Sequence, residues 1–234
     1  MNDYQSVHAE IDLLEKLYPY IIPKYHEAHD ILVSMLDFAQ TQDIRLADLG
    51  CGFGHLTKRI IDTFPSSVVF GIDKQPFILQ RAQERLQDRL DQVVFYERNL
   101  NNTAWQKDID HVHAIVSSFT LDYLPRERHQ QILDEAYAII EPGGRWVSCE
   151  FFRSEDNRVN RIFHDMEMAF IRSALERGEV TREQIDQLGK SSILRQDHFV
   201  VTVAQKMAWL KNSGFKTLEV PWRFLNLAII SAVR

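Results

Sequence analysis

The stretch Ala47-Asp48-Leu49-Gly50-Cys51-Gly52-Phe53-Gly54-His55 decides the fold of this 234-residue chain. Before it, residues 44–49 form a short apolar run of strand character; after it, residues 55–64 have helical periodicity up to Pro65. Three glycines between a strand and a helix permit positive φ, let a ligand lie against bare backbone, and aim free N–H groups of the helix start at it. Asp73 stands 19 positions after Gly54, at the end of a second strand run over 67–73, placed to accept both hydroxyls of a ribose. A dinucleotide turn requires G-x-G-x-x-G/A. Counting from Gly50 puts His55 at the last position and counting from Gly52 puts Thr57 there, so a pyrophosphate cradle is not expected.

Outward from the loop, strand-like and helix-like runs alternate, the pattern of an α/β sheet with right-handed crossovers. A helix is expected over 77–90, with Ile78, Leu79, Ala82, Leu86 and Leu90 inward and its charges on a solvated face. Strands are expected over 92–96, 112–118 and 145–151, with a helix over 126–140 and Pro142-Gly143-Gly144 as the turn between helix and strand. From 153 to 199 the alternation stops, and Ile162, Met166, Ala169, Phe170 and Ala174 at helical spacing point to an inserted helical lid. A last helix over 202–212 precedes strands over 215–220 and 226–233, too close in sequence for a crossover and so antiparallel. The expectation is a seven-stranded, mostly parallel sheet with an antiparallel last strand. Residues 1–43 would be an N-terminal helical cap and 44–234 the sheet domain, with 153–199 as its lid.

Composition narrows the function. The 27 Lys and Arg against 33 Asp and Glu leave a net charge of −6, an unfavourable balance for wrapping a nucleic acid. Cys51 and Cys149 have no CxxC spacing, so neither zinc nor a disulfide framework is indicated, and no metal site is expected. Both read as small packing residues. No apolar run approaches the roughly 20 residues that a bilayer crossing requires, so no membrane role is expected and the chain is placed in the cytoplasm.

The loop Asp48-Leu49-Gly50-Cys51-Gly52-Phe53-Gly54 resembles the first motif of class I S-adenosylmethionine-dependent methyltransferases, D/E-x-G-x-G-x-G, and the antiparallel final pair resembles the Rossmann-like fold of that class. The resemblance covers about residues 44–234. It implies that Asp48 belongs to the cofactor site, Gly50, Cys51 and Gly52 line the methionine end of S-adenosylmethionine, Asp73 holds the ribose and Lys74 flanks the adenosine. Asn99 and Leu100 stand where the class has an acid and an apolar residue at the adenine; Asn99 can accept from the adenine amino group, without the charge. Ser117 and Ser118 stand beside the methionine amino group, or simply satisfy a strand end.

Ile22-Pro23-Lys24-Tyr25, Ser118-Phe119-Thr120-Leu121, Tyr123-Leu124-Pro125-Arg126-Glu127-Arg128 and Ser148-Cys149-Glu150 resemble the carboxy-S-adenosylmethionine synthase family, which makes a carboxylated cofactor from prephenate. That likeness implies a role for Tyr25 on the cofactor carboxylate, beside its reading as an aromatic staple. Two departures bear on it. The family has Gly-Cys-Ser where this chain has Gly50-Cys51-Gly52, and the arginine that grips the extra carboxylate has no clear counterpart. Lys190 and Arg195 lie near its place, but lysine does not reproduce a bidentate guanidinium. Ordinary methyl transfer to a small molecule is therefore expected. The alternatives are a carboxylated-cofactor or tRNA-modifying enzyme and a non-catalytic cofactor-binding module; a homodimer is compatible with each.

Methyl transfer needs in-line positioning more than acid/base groups. Where the acceptor must lose a proton, the candidates are Glu150, His164 and His198. Tyr25, Phe119 and Tyr123 could attract a sulfonium through their ring faces, and Phe163, Met166, Met168 and Phe170 could roof an apolar pocket. There is no Asn-Pro-Pro-Tyr run and no Pro-Cys after the fourth strand, which argues against amide or cytosine C5 acceptors.

Overall fold

In the computed structural model, residues 3–191 and 198–234 are described. Seven strands form one sheet: β1 (Arg45–Leu49), β2 (Val68–Asp73), β3 (Val93–Glu97), β4 (Val112–Ser118), β5 (Ile140–Phe151), β6 (Lys216–Phe224) and β7 (Leu227–Val233). Their order is β3-β2-β1-β4-β5-β7-β6. The first five in that order are parallel, and β7 is antiparallel to both neighbours. This is the expected α/β architecture.

The helices are α1 (Asp3–Ile21), α2 (Tyr25–Ser34), α3 (His55–Thr63), α4 (Pro76–Arg85), α5 (Arg126–Ile139), α6 (Asn157–Glu176), α7 (Arg182–Leu188) and α8 (Val203–Asn212). Alternation along the strands feeds two cores. Leu46, Val69 and Val116 face Leu32 of α2 and Ile60 of α3, whereas Ala47, Ile115 and Trp146 face Ile132 of α5 and Leu210 of α8. Helix α1 joins neither core. Its Ile11, Leu14 and Leu17 pack with Ala174 of α6, Leu188 of α7, and Phe53 and Ile78 beside the glycine loop, forming a roof beyond the ends of the strands.

Four expectations are corrected. The helix after β2 stops at Arg85 and passes into a 3-10 turn at Gln87–Arg89, which leaves Leu90 51% exposed. Pro142-Gly143-Gly144 is not a free turn. Helix α5 runs straight into β5, where Ile140 pairs with Val112; Gly143 N–H then donates to Arg234 C=O (3.1 Å) and Arg234 N–H to Gly144 C=O (2.9 Å). The glycines absorb a break in register instead: Gly143 has φ +82, and a Cβ at Gly144 would lie 2.6 Å from the His113 carbonyl. Strand β6 continues to Phe224 because its ladder with β7 persists through Trp222, Arg223 and Phe224. On α6, Ile162 (54% exposed) and Met166 (47%) do not pack inward, because α6 docks through its later turns at Ala174.

Candidate functional site

Between the roof and the ends of β1, β2 and β4 lies a half-enclosed cavity of about 590 Å³. Its floor is the glycine loop, where Gly50, Gly52 and Gly54 have φ of +70, +52 and +75. Gly50 N–H and Cys51 N–H both donate to Ile72 C=O, at 2.8 and 3.0 Å, fastening the loop to β2. A Cβ on Gly50 would fall 2.1 Å from Thr120 Cγ2, but one on Gly52 would meet nothing nearer than the Gly50 carbonyl at 3.9 Å. Gly52 therefore offers bare peptide to the open cavity.

Asp73 meets this floor from the side. Its Oδ2 accepts from Gly52 N–H (3.1 Å) and its Oδ1 from Gln75 N–H (3.0 Å). Burial pushes its pKa up, against those backbone donors. Lys74, Asn99, Leu100 and Ser118 line the same space. The side-chain oxygen of Asn99 accepts from Asn101 N–H (2.9 Å), which leaves it one lone pair.

Two residues expected to touch the cofactor stand behind the wall. Asp48 is buried and accepts from Thr57 Oγ1 at 2.6 Å, holding the first turn of α3 to β1; burial pushes its pKa up to about 7. Ser117 is buried and donates to Leu49 C=O at 2.9 Å, bridging β4 to β1. Cys51 lines the cavity, yet burial, with Asp48 and Asp73 close by, pushes its thiol well above the usual range and makes it a poor nucleophile. Cys149 is buried in the sheet core.

Tyr25 is 5% exposed on the cavity wall and stacks on Phe119, centroids 5.7 Å apart. One turn along α2, His29 sits 4.5 Å from the Tyr25 ring, with Nε2 3.2 Å from Ser118 Oγ. Burial lowers its pKa to about 3, so it is neutral. The sequence reading missed His29; its signal was the i,i+4 spacing from Tyr25 on one helix face.

The catalytic candidates separate. Glu150 is 1% exposed and points away from the cavity, where Lys206 Nζ of α8, fully buried, stands 3.0 Å from Oε1. His164 lies in a shallow depression on α6 with Asn160 and Arg161, outside the cavity. His198 lines the cavity, its Nδ1 2.7 Å from Oδ2 of the buried Asp122 and its ring 4.4 Å from that of Tyr123. The Asp122 hydrogen bond raises the His198 pKa. Of the expected roof residues, Met168 reaches the cavity, with Glu167 and Ile171; Phe163, Met166 and Phe170 do not line it. Lys190 does not line it either, and Arg195 lies outside the described residues.

Residues 46–144 match a family model described as a methyltransferase domain. That stretch, under half of the chain, is similar to a methyltransferase domain. The fold is that of the S-adenosylmethionine-dependent methyltransferases: an O-methyltransferase family protein from Burkholderia thailandensis superposes with a TM-score of 0.69 at 13% identity, over 100% of this chain and 60% of that one. Human N-acetylserotonin methyltransferase in complex with its cofactor gives 0.60 at 14% identity, over 100% of this chain and 67% of that one. The chain thus spans about 60% of the length of the first of these structures. Among curated proteins, the carboxy-S-adenosyl-L-methionine synthase of Actinobacillus succinogenes is 24% identical over 216 residues, 91% of this chain and 86% of that protein. The Escherichia coli K12 synthase is 23% identical over 227 residues, 94% and 88% of the two chains.

The residues present fit S-adenosylmethionine, the cofactor of the class. Bare backbone at Gly52 leaves room for the methionine chain, the Asp73 carboxylate suits a ribose diol, and the Tyr25 and Phe119 rings suit a cation. Among the described residues no helix is long and apolar enough to cross a membrane, and no group of three or more His, Cys, Asp or Glu side chains is placed to hold a metal ion.

Proposed function

We propose that this chain transfers a methyl group from S-adenosylmethionine to a small, largely apolar acceptor. The observation that carries the reading is that the glycine floor with Asp73 and the apolar roof with Met168 and Ile171 enclose one continuous cavity of about 590 Å³. When bound, the cofactor supplies an electrophilic methyl group on a sulfonium. Asp73 would accept the ribose hydroxyls, Gly50, Cys51 and Gly52 would flank the methionine chain, and Lys74, Asn99 and Leu100 would flank the base. Ser118 would meet the amino-acid end. The faces of Tyr25 and Phe119 would attract the sulfonium with about 0.5–2 kcal/mol each.

Rate enhancement then comes from alignment and from excluding water. Of the expected cap over 1–43 and lid over 153–199, residues 1–2 and 192–197 lie outside the described residues; the rest would close over the acceptor. Action on a small molecule, not on nucleic acid, agrees with the net charge of −6, and the cytoplasm is the compartment proposed.

A second reading, synthesis of a carboxylated cofactor, is favoured by the relatives matched over nearly the whole chain. Against it, Arg98, a cationic side chain on the cavity wall, is already committed to the Trp105 and Lys107 carbonyls and to Asp108. Mass spectrometry of ligand released from the purified protein separates the readings. S-adenosylmethionine or its demethylated product supports methyl transfer, and a carboxylated form supports the second. Failure of calorimetry to detect any binding of S-adenosylmethionine sinks both.

A further inference from the structure

The cavity contains a polar arrangement that cofactor binding does not use. Building on the methyl-transfer reading, we propose that His198 is the general base of the reaction, that Asp122 is its positioning residue, and that the acceptor is a weakly acidic hydroxyl, a phenol or an enol, on an apolar framework.

Asp122 lies in the 3-10 turn Leu121–Tyr123 and is 1% exposed. Its Oδ2 is 2.7 Å from His198 Nδ1, which makes Nδ1 the donor and leaves Nε2 with a lone pair. The Asp122 carbonyl also accepts from Phe199 N–H at 2.6 Å, so one residue anchors both the ring and the main chain beside it. Tyr123 packs on the ring at 4.4 Å and fixes its plane. The turn is joined to the cofactor floor as well: Thr120, one residue before it, shares its Oγ1 proton between the Ser118 carbonyl at 2.9 Å and the Gly50 carbonyl at 3.2 Å. Base and floor are thus held in one frame.

Asp122 Oδ1 is buried with no hydrogen-bond partner among the described residues. An imidazolium opposite the carboxylate offsets that cost, and His198 accordingly holds a proton more tightly than a free imidazole. Among the described residues, titratable groups that share the cavity with the dyad include Tyr18 of α1 and Tyr123, both kept protonated by burial, Glu167 of α6, whose Oε1 accepts from Asn226 Nδ2 at 2.7 Å, and Asp73, Lys74 and Arg98 toward the cofactor floor. The walls an acceptor would meet include Phe119, Phe151 and Ile171.

The acceptor hydroxyl gives its proton to Nε2 as an oxygen lone pair bonds to the methyl carbon. The carbon–sulfur bond breaks and leaves its electron pair on sulfur, now a neutral thioether. The imidazolium is held by Asp122 and returns its proton to solvent through a side chain that is 41% exposed. A phenol with a pKa of about 10 is ionised to roughly one part in 10³ at pH 7, a shortfall within the reach of general base catalysis. An acidic thiol needs little such help, and an aliphatic alcohol lies beyond an imidazole.

The test uses the full chain and the variants H198Q and D122N, each first shown by calorimetry to bind S-adenosylmethionine. Absence of binding by the wild type overturns the methyl-transfer reading itself, a result distinct from those below. Carbethoxylation by diethyl pyrocarbonate across pH is read by mass spectrometry on the tryptic peptide 196–206, in which His198 is the only histidine. The expected midpoint lies above the ordinary value of about 6.5 and falls by about one pH unit in D122N. Transfer is assayed with 4-methylphenol and with 4-nitrophenol, which is already largely ionised at pH 8. H198Q should lose at least about 100-fold in kcat/KM on 4-methylphenol and less than about tenfold on 4-nitrophenol. D122N should move the acidic limb of the pH profile down with the His198 midpoint. Equal losses on the two phenols, a midpoint unmoved in D122N, or a cofactor-bound wild type that methylates neither phenol each overturn the proposal.

Discussion

At position 50 the loop has no room for a methyl group. Gly50→Ala combines positive φ with a Cβ 2.1 Å from Thr120 Cγ2, so the loop must shift. Gly52→Ala carries only the left-handed cost of about 1–2 kcal/mol. Calorimetry should show a far larger loss of S-adenosylmethionine affinity for Gly50→Ala, partly restored by adding Thr120→Ala. For Asp73→Ala the expected weakening is about 1.5–3 kcal/mol per lost charged hydrogen bond, and an unchanged Kd would remove the ribose assignment. His29 makes a prediction about acid. Its folded pKa of about 3 lies below the unfolded value, so below about pH 6.5 the unfolded chain takes up a proton that the folded one refuses. Stability is lost as pH falls, by about 1.4 kcal/mol per pH unit from this residue. Urea midpoints at pH 7, 6 and 5 should fall less steeply for His29→Gln than for the wild type. The floor was legible in the sequence because its glycine spacing and the distance to Asp73 are local. Asp48 and Ser117 were misplaced because position near a strand end does not say whether a side chain reaches the cavity. Asp122 and His198 meet across 76 positions, which no spacing rule joins.

Glu150 and Lys206 tie β5 to α8 through a fully buried ion pair. Removing one partner strands the other charge in the core. Lys206→Met should therefore cost about 3–5 kcal/mol in urea unfolding, whereas the double change Glu150→Leu, Lys206→Met should recover most of it. If the double variant is as unstable as the single one, the stranded-charge account is wrong. The sequence placed Glu150 at the end of a strand, where catalytic groups of doubly wound sheets gather, but the face it takes is set by a lysine 56 positions away. The junction of α5 with β5 misled for a related reason. Pro142-Gly143-Gly144 carries strong turn chemistry, and its pairing partner, Arg234, comes from the far end of the sequence. Where local preference and distant hydrogen bonds compete, the sheet decides.

On the scale of the whole molecule, the alternation of apolar runs was enough to read the sheet, including its antiparallel pair. The roof was not. Its helical spacing was visible in α6, but Ile162 and Met166 belong to the same periodic stripe as Ala174 and still face outward, because α1 covers only the later turns. The strand order has a further consequence, for folding. Strand β7 is the last in sequence, yet it lies between β5 and β6 and pairs with both. Until it inserts, β5, the twelve-residue strand that carries Trp146, Val147 and Cys149, is an open apolar edge. A newly made chain must keep that edge from other copies while its final strand is still being synthesised. A chain cut after residue 226 is expected to scatter light on refolding at micromolar concentration where the full chain stays clear, and a synthetic 227–234 peptide added in trans should suppress the scattering.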